Sequence, residues 1–483
     1  MVVGEMPEGV DLLVVGGGPG GYVAALAAAQ LGRKVVLVDA DGEDGLGGIC
    51  VRVGCIPSKA LIELSSHIHA QHAWHERGAP TPANETVDLV KFQGWKRDVV
   101  GGLNNGVRGL LNRAGVDVRR GWFRFTRPDQ GALVTDPDRP PTHLQFKSCI
   151  IATGSRPLEL KHLPFDGKRV VSSTAILDLT ELPKKVAVVG GGYIGLELGT
   201  ALAKLGSAVT IVEAQESLLP TMNVTIGNLI AKQLEKFGVE VITNSRVTGD
   251  TGTKLQVQTS NGSLELDVDL VVVAVGRVPN TDDLGLEALR VTPGADGRLP
   301  VDTDLLLTPR VAAIGDITPG PALAHRASAQ AHVAAGVLSG RPERFDPTTI
   351  ATVVFSDPEV AQAGFTAAGA AEAGYKPGIA SFPISASGRA RTMGESIGFA
   401  EYVYDEDTGI VIGVTIVGAH ASELIAEAAL AIEMAAHLED ITGTIHAHPT
   451  MAEIHHEAAS VAIGRPIHVP AAKRRDTGEG GAA

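Results

Sequence analysis

Short apolar runs alternate with longer helical stretches along most of the chain, and small-residue turns separate them. Asp11 to Val15 is an apolar run of strand length, an alanine-rich stretch to Leu31 has helical length, and Lys34 to Val38 is a second strand ending at Asp39. The pattern then predicts helices over Ala60 to about Trp74 and Val87 to Asn112, a loop at Pro80–Pro82, and strands at Val116–Phe125 and Leu144–Ile151. Later strands fall at Leu270–Val275 and Val311–Ile314, with a helix from about Leu323 to Val337. Strands alternating with helices imply parallel sheets of the α/β class. From about Thr348 the rhythm changes. Strands near Thr352–Phe355, Gly398–Tyr404 and Val411–Val417 mix with helical runs Ala421–Ala436 and Met451–Ala462, which predicts a separate α+β domain. The composition of Gly464–Ala483, rich in Pro, Gly and charge, predicts a flexible tail.

The turn after the first strand carries GxGxxG at Gly16, Gly18 and Gly21. Such glycines permit a tight turn and let a pyrophosphate approach the helix amino terminus, while an acid at the end of the next strand, here Asp39, binds ribose hydroxyls. A shift of 174 positions lays Leu12–Ala40 on Val186–Ala214 without a gap. The fingerprint recurs at Gly190, Gly192 and Gly195, and Asp39 falls on Glu213. Two dinucleotide sites in one chain read as a flavin and a nicotinamide that pass a hydride between them.

At 483 residues the chain exceeds one core and suggests roughly three domains. The net charge of −14 argues against a nucleic-acid partner, which would call for a basic stripe. The uncharged run Leu12–Gly32 holds six glycines and Pro19 in the nucleotide-binding pattern, so it is not read as a membrane span. The amino-terminal sequence lacks the basic start and cleavage site of a signal peptide, and three cysteines make no disulfide framework; both point to the cytoplasm. In a reducing compartment a lasting disulfide is more often catalytic than structural.

Two of the three cysteines, Cys50 and Cys55, lie within Gly45–Lys59. In an ideal helix residues five apart have Cα atoms about 7.5–9 Å apart, beyond the roughly 7 Å limit for a disulfide. A bridge therefore needs a distorted helix, and Gly54 and Pro57 are residue types that distort one. On spacing alone, a redox pair and two reduced cysteines without mutual contact both stand. Cys149 lies inside an apolar strand and reads as core. Asp316 follows a strand's carboxyl end, where open α/β sheets bind ligands, although Gly315-Asp316 is also a turn-forming pair. The helix after it could stabilise negative charge on a reduced flavin through its amino terminus.

The cysteine pair, both fingerprints and His446-Ala447-His448-Pro449-Thr450-Met451-Ala452-Glu453 together resemble the pyridine nucleotide-disulfide oxidoreductases, with specific stretches at GCIPSKALI, GGGYIGLELG, HASELIAEA and HAHPTMAE. The resemblance covers Asp11 to about Pro466 and implies two Rossmann-like dinucleotide-binding domains, for FAD and NAD, plus a carboxyl-terminal α+β dimerisation domain. The implied division is 1–152 (FAD, first part), 153–280 (NAD), 281–347 (FAD and central, second part), 348–466 (dimerisation) and 467–483 (tail). It implies FAD held by Gly16, Gly18, Gly21, Asp39, Lys59, Ala152, Thr153, Gly154, Ser155, Gly315 and Asp316, and NAD by Gly190, Gly192, Gly195, Glu213 and Gly276. It assigns Cys50 to exchange with substrate and Cys55 to the flavin side as the charge-transfer thiol. Lys59 is placed to reach the flavin and pair with Glu197, against the alternative of an ordinary surface lysine and a helical glutamate. His448 and Glu453 act from the partner subunit of a homodimer.

The implied activity is oxidation of protein-bound dihydrolipoamide through a Cys50–Cys55 disulfide and FAD to NAD+, with the lipoyl domain or acyltransferase core of a 2-oxo acid dehydrogenase complex as partner. Alternatives are a nicotinamide-dependent reductase of another small disulfide, and a flavin-binding docking or electron-transfer subunit that does not turn over. Glu213 favours NAD, since a carboxylate repels a 2′-phosphate and Glu213-Ala214-Gln215-Glu216 offers no arginine to receive one. No metal is expected: the histidines around His448, namely His446, His455 and His456, lack a completing carboxylate or thiolate cluster. Glu453 has a rival role, because Thr450-Met451-Ala452-Glu453 is a capping-box pattern. Ile49, Arg52 and Asp39 depart from the family's usual Thr, Asn and Glu. Arg52 either favours thiolate formation between the cysteines or faces solvent.

Overall fold

The computed structural model describes residues 6–80 and 86–470. Most of the expected Pro80–Pro82 loop and the tail beyond residue 470 therefore lie outside the described residues. The chain divides into two compact units, Met1–Thr221 with Glu235–Asp346, and Met222–Leu234 with Pro347–Ala483.

In the first unit, strand Glu8–Val15 runs parallel to Val35–Asp39 on one side and to Thr142–Ile151 on the other, with Leu12 opposite Val35 and Val15 opposite Ile151. The order reverses at this strand, so the turn following it opens at the switch point where α/β sheets take ligands. Alternation along the strand explains its two-sided burial. Leu12 and Val14 pack with Ala24, Ala28, Ala331 and Ala334 from helices Pro19–Gln30 and Ala324–Leu338, while Leu13 and Val15 pack with Phe123, Phe125 and Phe146. Small side chains between the two helices allow close approach, as the alanine-rich pattern predicts. Cys149 is fully buried in Thr142–Ile151.

A second sheet is wholly parallel in the order Glu240–Ile242, Ala208–Val212, Lys185–Val189, Leu270–Val273, Val170–Ser172. Its helix Tyr193–Leu205 follows the second fingerprint. The other unit is an antiparallel five-stranded sheet with helices Ala421–Glu433, Leu438–Gly443 and Glu453–Ala462, around a core that includes Phe382, Tyr402, Ile416 and Ile454. The α/β class with a separate α+β region matches expectation.

Several local expectations need correction. The single strand at Val116–Phe125 is two, Asp117–Arg120 and Trp122–Arg127, broken at Gly121. A Cβ there would sit 2.7 Å from the Leu133 side chain and the Val134 carbonyl oxygen. The helix expected from Ala60 starts at Cys55 and runs to His75. Pro57 does not distort it, because its missing N–H falls in the first turn, where no intrahelical partner exists. The three-stranded sheet Arg246–Asp250, Lys254–Thr259, Gly262–Asp267 was not anticipated.

Candidate active site

Gly54 decides the geometry of the cysteine stretch. It separates helix Gly48–Val53 from helix Cys55–His75 with φ −140° and ψ −104°, and a Cβ there would lie 2.8 Å from the Ile49 carbonyl oxygen. The break is what a straight helix lacks: Cys50 and Cys55, both free thiols, come within hydrogen-bonding contact. The electrostatics are unequal. The Cys50 hydrogen bond and the Lys59 ammonium one turn away hold Cys55 down at about 7, against burial and the Glu197 carboxylate. Cys50, donor in that bond and partly buried, is pushed well above the ordinary thiol range. Lys59 Nζ lies 2.7 Å from Glu197 Oε2, and Glu197 is buried on the helix of the second fingerprint.

Both thiols line a cavity of about 510 Å³ that also takes in Gly16, Gly18, Asp39, Lys59, Glu197, Ala152 to Ser155, Gly315 and Asp316. Gly21 lies beneath it, where a Cβ would meet the Gly16 carbonyl oxygen at 1.7 Å. The donor set suits a dinucleotide. Helix Pro19–Gln30 begins at Gly18 with no side chain capping its amino-terminal N–H groups, and those groups favour a pyrophosphate. Asp39 accepts from Gly17 N at 2.8 Å and from Asp41 N at 3.0 Å, with lone pairs remaining for sugar hydroxyls. Asp316 accepts from Ser155 Oγ at 2.5 Å.

The residues of the second set stand at strand ends of the second sheet: Gly190 after Lys185–Val189, Gly192 as the cap of helix Tyr193–Leu205, Gly195 inside it, Glu213 after Ala208–Val212 and Gly276 beyond Leu270–Val273. Glu213 is buried. Its carboxylate accepts from Gly191 N at 2.6 Å and Gln215 N at 2.7 Å, which stiffens the loop.

In the other unit, His448 Nδ1 donates to Glu453 Oε1 at 2.8 Å, and Thr450 N donates to Glu453 Oε2 at 2.8 Å. The two rival roles of Glu453 are thus divided between its oxygens. Partial burial pushes this carboxyl up, but the His448 and Thr450 hydrogen bonds outweigh it and hold it below the usual range. With Nδ1 donating, exposed His448 keeps Nε2 as an acceptor. Neighbouring imidazoles have other partners: His446 faces Glu427 at 2.7 Å, and His455 is buried against the Tyr402 hydroxyl at 2.7 Å. Among the described residues no group of three His, Cys, Asp or Glu is arranged to hold a metal ion, and no helix is long and apolar enough to cross a membrane.

Arg52 lines the same cavity as the thiols. Its Nη1 pairs with Asp41 Oδ2 at 2.8 Å. Sequence reasoning missed Arg277 and Trp122, which also line the cavity. Arg277 had a local signal, Gly276-Arg277-Val278-Pro279-Asn280 at the end of an apolar strand; an aromatic residue after Gly121 gives none.

Comparison with known proteins bears on the whole chain. Residues 10–331 match the pyridine nucleotide-disulphide oxidoreductase family and residues 350–459 its dimerisation domain. The chain is 44% identical over 474 residues to a dihydrolipoyl dehydrogenase of Geobacillus stearothermophilus, covering 97% of this chain and 99% of that protein. It is 42% identical to one of Halobacterium salinarum, with 97% and 99% covered. Among solved structures, LpdA from Mycobacterium tuberculosis aligns with TM-score 0.85 at 27% identity, over 93% of this chain and 99% of that one. The HOCl-induced flavoprotein disulfide reductase RclA from Escherichia coli aligns with TM-score 0.81 at 25% identity, over 93% and 99%. With two fingerprints, a dithiol beside the first and family matches along most of its length, the chain belongs to the pyridine nucleotide-disulphide oxidoreductase family.

Proposed function

We propose that the protein oxidises a protein-bound dihydrolipoyl group to its disulfide and delivers the electrons to NAD+, as a homodimer serving a 2-oxo acid dehydrogenase complex in the cytoplasm. The observation that carries the reading is the unequal thiol pair at the wall of a dinucleotide cavity, with Cys55 lowered to about 7. Relatives named dihydrolipoyl dehydrogenase, matched over almost their full length, support the substrate. The division at 1–152, 153–280, 281–347 and 348–466 into FAD, NAD, central and dimerisation parts belongs to the same reading.

In this reading the catalytic cycle begins with Cys50 and Cys55 joined. From the partner subunit, His448 Nε2 takes a proton from one substrate thiol, and Glu453 of that same subunit holds the imidazole with its proton on Nδ1. The thiolate attacks Cys50 Sγ, the bond to Cys55 breaks, and Cys55 leaves as a thiolate, the better leaving group of the two because Lys59 stabilises its charge. The second substrate thiol gives its proton to Cys50 as its sulfur displaces Cys50 Sγ and closes the substrate disulfide, and the first proton leaves from His448. FAD, held beside Cys55, would supply the two-electron acceptor between this dithiol and NAD+. Gly16, Gly18, Gly21, Asp39, Ala152 to Ser155, Gly315 and Asp316 hold the first cofactor; Gly190, Gly192, Gly195, Glu213 and Gly276 hold the second. The Lys59–Glu197 pair fixes the ammonium beside Cys55.

The test is steady-state oxidation of dihydrolipoamide with NAD+ and with NADP+, in wild type and Cys50→Ser. Wild type should turn over with NAD+, and Cys50→Ser should lose at least about 10³-fold in kcat while keeping its flavin. Activity undiminished by Cys50→Ser would overturn the mechanism.

A further inference from the structure

Arg277 is the one charged side chain of the Gly276–Asn280 segment, and the chemistry above does not use it. It stands immediately after Gly276, at the edge of the second nucleotide fold, yet its guanidinium reaches the first. Segment Arg277–Pro279 pairs antiparallel with Ser155–Pro157, placing Pro279 opposite Ser155. Arg277 Nε donates to Ser155 Oγ at 2.7 Å and Nη2 donates to the Ser155 carbonyl oxygen at 2.6 Å. Ser155 is 3% exposed, and its hydroxyl has one proton to give. Because Arg277 donates into the oxygen, that proton is directed onto Asp316 Oδ2, 2.5 Å away. The result is a one-way chain from a guanidinium in the second fold, through one hydroxyl, to a cavity-lining carboxylate in the first.

The surrounding backbone leaves this chain as the adjustable part. Asn280 N donates to the Gly154 carbonyl oxygen at 2.9 Å, Asn280 Nδ2 to that of Thr153 at 2.9 Å, and Thr153 Oγ1 to that of Asn280 at 2.7 Å. Peptide groups so tied resist displacement, whereas a half-buried guanidinium can exchange partners.

We propose that Arg277, Ser155 and Asp316 form a relay through which nucleotide binding at Gly276 alters the setting of the flavin held by Asp316, with Arg277 as its positioning residue. This rests on the FAD and NAD assignments proposed above. A nucleotide phosphate or carboxamide oxygen at Gly276 competes for the guanidinium, loosens Ser155 and changes how Asp316 meets the flavin. Coupling of this kind is reciprocal, so flavin occupancy changes NAD+ affinity by the same factor.

The experiment uses oxidised holoenzyme titrated with NAD+, reading flavin absorption and fluorescence, with NAD+ binding measured separately by calorimetry so that every spectrum is taken at saturation. Wild type should show a shift of the flavin spectrum on NAD+ binding. Arg277→Met and Ser155→Ala should keep FAD, release it about tenfold faster, and lose the shift; Arg277→Lys should restore part of it. A full wild-type shift in both Arg277→Met and Ser155→Ala, or no shift in wild type that holds FAD and binds NAD+, overturns the relay and leaves the proposed function intact. Purified wild type without flavin would overturn both.

Discussion

The loops Gly16–Gly21 and Gly190–Gly195 obey the same constraints and serve different surroundings. Gly16 and Gly190 have φ of +104° and +107°, and a Cβ on either would strike a carbonyl oxygen from a neighbouring strand's end, Ala152 at 2.3 Å or Ala274 at 2.5 Å. Each loop's second glycine donates to the acid at the next strand's end and accepts from a peptide N–H beyond it, Gly47 in the first case and Leu219 in the second, both at 2.9 Å. There the likeness stops. After Gly47 comes Gly48, whose Cβ would lie 2.6 Å from Gly18 Cα, and this closeness brings the cysteine helix against the loop. Beside the second loop that approach is missing: a Cβ on Gly192, the counterpart of Gly18, would meet nothing within 4 Å, while Leu218 packs at Gly191 as Leu46 does at Gly17. The glycine turn is common to both folds; the segment after the second strand of each decides whether a thiol pair stands beside it.

The largest effect expected from this comparison comes from adding one methyl to each loop. Gly21→Ala places a Cβ at 1.7 Å from the Gly16 carbonyl oxygen and Gly195→Ala at 2.0 Å from that of Gly190, so each must deform its turn at a cost of about 3 kcal/mol. Gly21→Ala should yield protein without flavin and with a lowered melting temperature. Gly195→Ala should keep flavin and weaken NAD+ binding at least about tenfold. Flavin content and calorimetry check both; loss of flavin in Gly195→Ala would break the assignment of one nucleotide to each loop.

Next in size are the acids. Both carboxylates accept two backbone N–H groups, and an amide sets a donor against one of them, at about 1.5–3 kcal/mol. Asp39→Asn should raise the FAD dissociation constant about tenfold. Glu213→Gln should weaken NAD+ and narrow its advantage over NADP+, because the repulsion of a 2′-phosphate is removed. Equal kcat/KM for the two nucleotides in wild type would remove Glu213 from the specificity argument.

These contrasts also explain what the sequence revealed. The fingerprints, the 174-residue duplication and the break at Gly54 are local facts of glycine and spacing, and they were legible. The capping-box motif announced a contact to Glu453 but could not say that its oxygens would be shared between His448 and Thr450. Arg277 was missed because its partner is 122 residues away, and a segment's pairing across that distance leaves no periodicity. In the extra three-stranded sheet only Lys254–Thr259 alternates cleanly, with Leu255 and Val257 buried between exposed Lys254, Gln256 and Gln258; the two flanking strands are of five and six residues with little burial to mark a face. Pro57 was misjudged because the residue type was weighed without its position in the helix.

The thiol pair belongs to the first loop alone, and its ionisation sharpens the contrast. In the reduced protein Cys55 is held at about 7, so alkylation by iodoacetamide should rise as pH increases through about 7, where thiol gives way to thiolate. Lys59→Met removes the nearby cation and leaves Glu197 uncompensated. The profile should therefore move upward by about one pH unit, or about 1.4 kcal/mol. An unmoved profile would show that the Cys50 hydrogen bond alone sets it.

The smallest effect concerns the base of the two folds. In the first, Arg33 follows the fingerprint helix and donates to Asp11 Oδ2 at 2.8 Å and to Ser148 Oγ at 2.7 Å, tying three chain segments together. The duplication puts Ser207 at the equivalent place, where its hydroxyl donates to the Pro183 carbonyl oxygen at 2.7 Å, a neutral bond. The Arg33 hydrogen bond, offset partly by burial and aided by Lys34 N and Lys147, lowers Asp11 to about 2. A depressed carboxyl stabilises the fold above its unfolded value of about 4, and that contribution fades as pH falls from about 4 to about 2. Asp11→Asn should therefore cost about 1 kcal/mol at neutral pH and progressively less in acid, whereas Ser207→Ala should cost a similar or smaller amount with no pH dependence in that window. Thermal melts of the two variants from pH 7 downward separate the cases. Equal pH profiles for both variants would mean that the charged clamp adds nothing to the first fold beyond what the neutral bond gives the second.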